Sequence, residues 1–278
     1  GKYYAGSACY MFNPGGSNTY ALQEVSRNGS SYQNVDGVYK RVKVSSADLG
    51  FPRLERSYKA VDLFLERPWD GKWEARIDYT FSKSKGNSEG PANSDTGQGS
   101  NSHDNGVATS QNWDAWQIMQ YADGYLPNDR RHQLKARVSY AITPEWIVGV
   151  NARISSGAPI SCFGYYDPDG TIDHDSSAAD PIGYGSSYHT CFGEAWPPGK
   201  KTSPWLHRYD LAVTYKPAYF DDKLALNISV FNVLNERKPT SYVQSSEDDG
   251  PYSVNNDYML PVSFSTPRYV QFSASYDW

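Results

Sequence analysis

Apolar and polar residues alternate with a period of two along several stretches of this chain, the pattern of a strand with two unlike faces. Residues 58–67 place Val61, Leu63 and Leu65 on one face and Asp62, Phe64 and Glu66 on the other. In 72–83, Trp73, Ala75, Ile77, Tyr79 and Phe81 alternate with Glu74, Arg76, Asp78, Thr80 and Ser82. The same rhythm runs through 132–142, 146–156, 207–216 and 223–235. It closes the chain in "PRYVQFSASYDW" (267–278), where Val270, Phe272, Ala274, Tyr276 and Trp278 share one parity. A less regular segment, 2–12, reads as one further strand.

The connections are informative. "PWDG" (68–71), "TPE" (143–145) and "PAYFDD" (217–222) are short, whereas 13–53, 84–128, 157–206 and 236–266 are long. Short and long alternate strictly, so every long connection leaves the same end of an antiparallel meander. Loops this long count against a compact soluble domain. They suit an outer-membrane β-barrel, with short periplasmic turns and long extracellular loops. Trp69, Trp73, Tyr140, Trp146, Tyr215, Tyr219 and Phe220 lie within a few residues of a short turn. That is where an interfacial aromatic girdle belongs. A soluble β-protein would place them in its core or on its edges.

Composition agrees. The chain has 278 residues, 38% of them hydrophobic, with 23 Tyr, 10 Phe and 8 Trp, and a mean hydropathy of -0.68. Aromatic strands with few aliphatics fit a barrel wall or a carbohydrate-binding surface. No apolar run approaches the ~20 residues of a transmembrane helix. A net charge of -5 without a basic stripe argues against a nucleic-acid partner.

The segments "RLERSYKAVDLFLERPWDGKWEARIDYTFSKSKGNSEG" (53–90), "GYLPNDRRHQLKARVSYAI" (124–142), "NARISSGAPISCFG" (151–164), "YDLAVTYKP" (209–217) and "LNISVFNVLNERKP" (226–239) resemble the TonB-dependent outer-membrane receptors, in their Oar-like branch. The resemblance covers most of the chain in consistent order. It implies an all-β fold: about eight C-terminal strands of an antiparallel transmembrane barrel, probably 22-stranded in full, with the C-terminus periplasmic. The family's plug domain and TonB box have no counterpart in residues 1–278, which match a C-terminal part of such a receptor. The inward charges Asp62, Glu66, Glu74, Arg76, Asp78, Arg137 and Arg153 suit a wide lumen holding a plug better than a narrow eight-stranded one. The implied function is binding and import of a ligand, with energy delivered by the TonB complex. An Oar-like adhesion role without transport, and a secreted soluble carbohydrate-binding protein, are the alternatives. Outer-membrane lipid and lipopolysaccharide, the receptor's own plug and the barrel-assembly machinery are the implied partners. Tyr276 and Trp278 resemble the terminal signal that this machinery reads.

Candidate chemistry is sparse. No G-x-S-x-G elbow is present, and the five histidines show no metal-ligand spacing; no catalytic residue is expected. His132, at a strand top, reads as a loop anchor. Arg130 and Arg131 at the outer rim are candidates to meet lipopolysaccharide phosphates or an acidic ligand, against the plainer reading of solvated rim charges. "YYDPDGTIDHD" offers Asp167, Asp169, Asp173 and Asp175 as oxygen ligands for Ca²⁺, although the EF-hand pattern is not met and an acidic turn-rich extracellular loop is the favoured reading. No other cofactor is expected. Cys162 and Cys191 share one Gly/Pro/Asp-rich segment and read as a loop-stapling disulfide in an oxidising compartment, leaving Cys9 over. Trp113, Trp116, Tyr121, Tyr125, Tyr165, Tyr166 and Trp196 lie in the long loops, where exposed aromatics serve as ligand contacts or pack loop against loop.

Overall fold

The computed structural model describes residues 16–28, 31–90, 94–95, 111–167, 179–220 and 223–277. Among these described residues sixteen strands follow in chain order. β1 (Ser17–Asn28) and β2 (Ser31–Ser45) form a separate hairpin. β3 (Arg56–Arg67), β4 (Trp73–Gly86), the two-residue β5 (Gly124–Tyr125), β6 (His132–Ala141) and β7 (Trp146–Ser155) come next. Four two-residue strands lie in the following loop: β8 (Pro159–Ile160), β9 (Thr190–Cys191), β10 (Glu194–Ala195) and β11 (Lys201–Thr202). β12 (Leu206–Tyr215), β13 (Leu224–Phe231), β14 (Pro239–Tyr242), β15 (Pro261–Phe264) and β16 (Tyr269–Tyr276) complete the chain.

The main sheet has the order β16-β13-β12-β7-β6-β4-β3, with β5 attached to β4. Every pairing in it is antiparallel. The seven long strands are those that the alternation predicts. The segment expected as a first strand, 2–12, lies outside the described residues. One expectation is corrected: 13–53 is not a structureless loop, because β1 and β2 pair through most of it, with a register shift between Gln23 and Val25. The alternation there is interrupted by polar residues. The usable signal was Gly29-Ser30, a Gly-X pair between the two strands, which favours a tight two-residue hairpin connection.

Registration across the sheet lines up one apolar face. Leu63 faces Tyr79, which faces Leu134, which faces Ile154. Val138 faces Val150, which faces Leu211, which faces Val230, which faces Val270. Much of this face is uncovered: Leu63 is 61% exposed, Val138, Val150 and Val270 are exposed, Phe272 on the same face is 73% exposed, and Tyr79, Leu134, Ile154, Leu211 and Val230 are partly so. A soluble sheet would bury such a face; a barrel wall turns it to lipid. At the short-turn end the band is bounded by Trp73, Tyr140, Trp146, Tyr215 and Tyr276. Trp146 stacks on Tyr215 at 4.4 Å, and Phe220 meets Tyr276 edge-on at 6.5 Å. At the other end stand Phe81, His132 and Trp205, with His132 stacked on Trp205 at 5.7 Å. From Trp73 to Phe81 a strand rises ~27 Å, or ~20 Å of membrane depth after a typical tilt of ~40°, close to the height of an outer-membrane apolar band.

The opposite face is polar and internally bonded. Arg76 pairs with Asp78 at 3.1 Å and with Glu66 at 3.6 Å. Arg137 pairs with Glu74 at 3.8 Å, and Arg208 with Asp210 at 2.9 Å. Thr80 donates to Asp62, and Asn227 to Thr214. Such a face belongs against water or other protein, not lipid. Among the described residues β3 and β16 are the sheet's outer strands and do not pair with each other, so the wall is an open segment here.

The short turns are built for tightness. In 68–72 the Asp70 carboxylate accepts from Trp73 N (2.9 Å) and Lys72 N (2.8 Å), and these amides hold its pKa below the usual carboxylate range. Gly71 takes the left-handed conformation there (φ 92°). Glu145 ties two neighbouring turns by accepting from Ala218 N at 2.8 Å.

Candidate functional site

The connections 87–131, 156–205 and 232–268 leave the same end of the sheet and fold together into a head. Its base is fastened to the strand tops. Asp129, buried, accepts from Ser84 N at 2.7 Å. Ser156 N donates to His132 O at 2.9 Å, and Ser156 Oγ accepts from His132 N at 3.1 Å. The His132 ring shares a 2.8 Å hydrogen bond with Tyr79 Oη on the neighbouring strand β4, while its backbone carries the tie to the loop at Ser156. Gly157 lies so close to Ser203 that a Cβ would stand 1.6 Å from the Ser203 carbonyl oxygen.

The centre of the head is polar. Gln244 accepts from Ser161 N at 2.5 Å and donates to the Asp95 carbonyl at 3.0 Å, while Ser161 Oγ donates to the Asp95 carboxylate at 2.9 Å. These contacts join all three loops. Beside them, the buried Glu247 carboxylate accepts from Tyr165 N (2.7 Å) and Tyr252 N (2.6 Å). Burial pushes Asp95 up to about 6. His189, buried beside Phe163, is pushed down to about 4 by the same cause. Cys162 and Cys191 are disulfide-bonded with Cα atoms 5.5 Å apart, closing a segment with a sequence separation of 29.

The seven loop aromatics separate into packed and uncovered. Trp113 packs against the cluster of Phe51, Met119 and Ala122. Tyr166 donates to Gln120 at 2.9 Å and packs on Tyr188, whose own hydroxyl donates to Asp180 at 2.8 Å. Tyr125 carries both Lys85 (4.4 Å) and Arg131 (3.9 Å) over its ring. Trp196 lies under Lys200 (4.5 Å), with its indole N–H buried and unpartnered among the described residues. Tyr165 is half-buried, its phenol pKa raised by burial and by Asp180. Tyr121 is half-buried and takes a positive φ of 62°. Trp116, in the short helix α1 (Trp116–Met119), remains 38% exposed and meets Tyr166 edge-on at 6.0 Å. Most of this set therefore holds the head together, and Trp116 offers the most open ring.

Of the expected calcium ligands, Asp167 is buried and accepts from Tyr252 Oη at 2.5 Å; Asp169, Asp173 and Asp175 lie outside the described residues, as does Cys9. No group of three metal-binding side chains occurs among the described residues. Arg130 is turned inward: it donates to Ser156 O at 2.9 Å, and burial lowers its pKa. Arg131 pairs with Asp129 at 3.3 Å. Neither is a simple solvated rim charge. Tyr276 is exposed at the short-turn end; Trp278 lies outside the described residues. Sequence reasoning missed Asp95, Asp180, Gln244 and Glu247. Asp95, Gln244 and Glu247 act on loop residues far away in the chain, as with Gln244 and Asp95, separated by 149 positions, and no local pattern marks them; Asp180 instead closes its own turn through Tyr184, Gly185 and Tyr188.

An antiparallel wall with an uncovered apolar band between aromatic girdles, a charged inner face and an ordered head at one end is the wall of an outer-membrane β-barrel. In sequence the chain is similar to the TonB-dependent transporter Oar of Myxococcus xanthus, at 25% identity over 268 aligned positions covering 81% of this chain and 23% of that protein. No family model matches. In structure it overlaps the outer-membrane transporter YddB of Escherichia coli with a TM-score of 0.48 and 11% identity, over 80% of this chain and 25% of that one. The ferripyoverdine receptor of Pseudomonas aeruginosa gives a TM-score of 0.44 and 12% identity, over 94% and 24%. The chain spans about a quarter of the length of each of these proteins. It thus resembles the TonB-dependent outer-membrane receptors, Oar among them, over barrel sequence.

Proposed function

We propose that this chain supplies barrel wall and extracellular loops to a TonB-dependent outer-membrane receptor that binds a ligand at its loop head and imports it. The continuous lipid-type face carries this reading, because seven register-matched strands expose it while the opposite face is a bonded polar surface suited to a lumen. Similarity to a TonB-dependent transporter supports it further. The plug and the TonB-contacting segment belong to the rest of the receptor. The wall and head perform no chemistry: they hold a ligand above the lumen while energy arrives through the plug. Tyr276, at the short-turn end, then lies on the periplasmic side.

The test is genetic. Strains lacking the gene, lacking TonB, or lacking both are scored for growth on iron chelates, oligosaccharides and peptides as limiting nutrients. The single deletions should share their defects, and the double deletion should add nothing. A gene-deletion phenotype that appears undiminished in cells lacking TonB overturns transport and favours the adhesion role.

A further inference from the structure

At its long-loop end β4 finishes between two strands in a row that holds two glycines. Gly86 lies opposite Arg56 of β3 on one side and Gly124 of β5 on the other. Neither glycine has room for a side chain: a Cβ on Gly86 would stand 2.2 Å from the Glu55 carbonyl oxygen, and one on Gly124 would stand 2.3 Å from that of Pro198. The next row toward the wall holds Ser57, Lys85 and Tyr125. On the other side of the glycines Asn87 N donates to Glu55 O at 3.0 Å, and Asp123 precedes Gly124. A cleft of about 500 Å³ opens around Gly86, with Arg53, Leu54, Glu55, Arg56, Lys85 and Asp123 in its lining. Small-molecule sites have this size.

The base of the cleft is fixed by backbone. The buried Asn87 side chain accepts from Glu55 N at 3.0 Å and donates to Arg53 O at 2.7 Å. Segment 53–56 is therefore held through its main chain, and its side chains are left to the cleft. Arg56 is occupied, since its guanidinium donates to Glu89 O at 2.5 Å. Lys85 is steered by the Tyr125 ring at 4.4 Å. Arg53, Lys85, Glu55 and Asp123 are all exposed. Among the described residues no ion pair joins either of these cations to either carboxylate. Opposite charges that line one cleft without neutralising each other are complementary to a ligand carrying both signs. Lys85 stands two strand positions from the row of Glu55 and Asn87, ~7 Å. An extended dipeptide spans the same ~7 Å. Leu54, 41% exposed, adds an apolar contact for a ligand side chain.

We propose that this cleft binds short zwitterionic peptides, the carboxylate held by Arg53 and Lys85 and the ammonium by Glu55 and Asp123. The inference deepens the receptor reading by naming a ligand class, and its test is separable from that reading. The dipeptide Ala-Leu, its N-acetyl form and its C-terminal amide are titrated calorimetrically into the full-length receptor in detergent micelles. Ala-Leu should bind, and blocking either end should weaken it roughly ten-fold. Arg53→Gln and Lys85→Gln should each weaken Ala-Leu by roughly the same factor and leave the amide unaffected. Asp123→Asn should weaken Ala-Leu and leave the N-acetyl form unaffected. Lys72→Gln, at the opposite rim, should bind as wild type does. Undetectable binding of Ala-Leu overturns the proposal. So does equal affinity for the three peptides, or an Asp123→Asn variant that loses the N-acetyl form as much as Ala-Leu. Heat-modifiable migration on gels reports whether each variant folds; if one does not, the three peptides on wild type decide alone. Charge-matched binding in a receptor whose deletion phenotype ignores TonB would overturn transport and leave the cleft standing.

Discussion

Val150 sits midway along β7, on the outward face, between Val138 and Leu211. Asn151, one residue on, points the other way, between Arg137 and Asp210. A lysine on the lipid face of a barrel costs ~2–4 kcal/mol at the bilayer midplane and ~0–1 near the interfaces. Val150→Lys should therefore lower the folding equilibrium constant roughly 30- to 1,000-fold, at ~1.4 kcal/mol per tenfold. Asn151→Lys brings its charge beside Arg137 but also opposite Asp210, and should stay within ~0.5 kcal/mol, as surface substitutions do. Ile154→Lys, on the same parity but at the top of β7, should cost no more than ~1 kcal/mol. The measurement is a urea titration of the full-length receptor in lipid vesicles, read by heat-modifiable migration and tryptophan fluorescence. The gradient is the decisive part. A packed protein core would punish Val150→Lys and Ile154→Lys alike, since a core has no midplane. Equal costs at these two positions, or a larger cost at Asn151, would refute the lipid-facing assignment.

The head offers further tests. Removing both Cys162 and Cys191 by substitution with Ala should destabilise the 156–205 loop by ~3–4 kcal/mol on the chain-entropy estimate, read as faster amide exchange there with little change in the wall. His189, held neutral with its pKa at about 4 against 6.5, contributes stability that is complete above pH 6.5 and falls by ~3 kcal/mol as pH drops to 4; exchange in the head should accelerate over that window. Asp95 has the opposite sign. Its pKa of about 6 against 3.8 gives a contribution complete below pH 3.8 and lost as pH rises through 6, so Asp95→Asn should stabilise the head by up to ~3 kcal/mol at pH 8 and have no such effect at pH 3.5. Gly157→Ala forces a Cβ into the Ser203 backbone and should detach the base of the 156–205 loop, seen as loss of protection at Ala158 and Ser203.

The wall was legible because each of its strands states its faces locally. Trp73 through Ser82 alternates without a fault, and a period of two has only one strand reading. The three short turns announced which end was which, so the antiparallel order followed from connection length alone. The head was not legible. Its ties run from Ser161 to Gln244, from Tyr252 to Asp167 and from Asn87 to Arg53, across 32 residues or more. Such bonds obey no periodicity. The position of Trp113 and Tyr166 in the loops allowed either ligand contact or packing of loop on loop, and both are half-buried in such packing. The β1–β2 hairpin was missed for a different reason: its strands mix lysine, arginine and glutamine with their apolar residues, so alternation is diluted and the turn dipeptide is the clearer signal.

The division between wall and head also explains the low hydropathy of the chain. Leu63, Leu65, Ile77, Val138, Val150, Leu226, Ile228 and Val270 all lie on the lipid-type face, exposed. Lipid covers this face in a membrane, so these residues cannot also form an interior for the loops. The head is left with small apolar clusters around Met119 and Tyr188. Its other buried groups include Ser161, Asp167, His189, Thr190, Ser246 and Glu247, and a disulfide. Buried polar groups stabilise only while each is satisfied and in the right protonation state. It follows that pH and reductant should act first on the head, through His189, Asp95 and the Cys162–Cys191 bond. The wall, held by strand ladders and lipid, should be nearly indifferent to both. A wall and head built this way let the surrounding medium alter the loops while the strands stay unchanged. Equal acid sensitivity of β7 and of the 156–205 loop in amide exchange would refute this division.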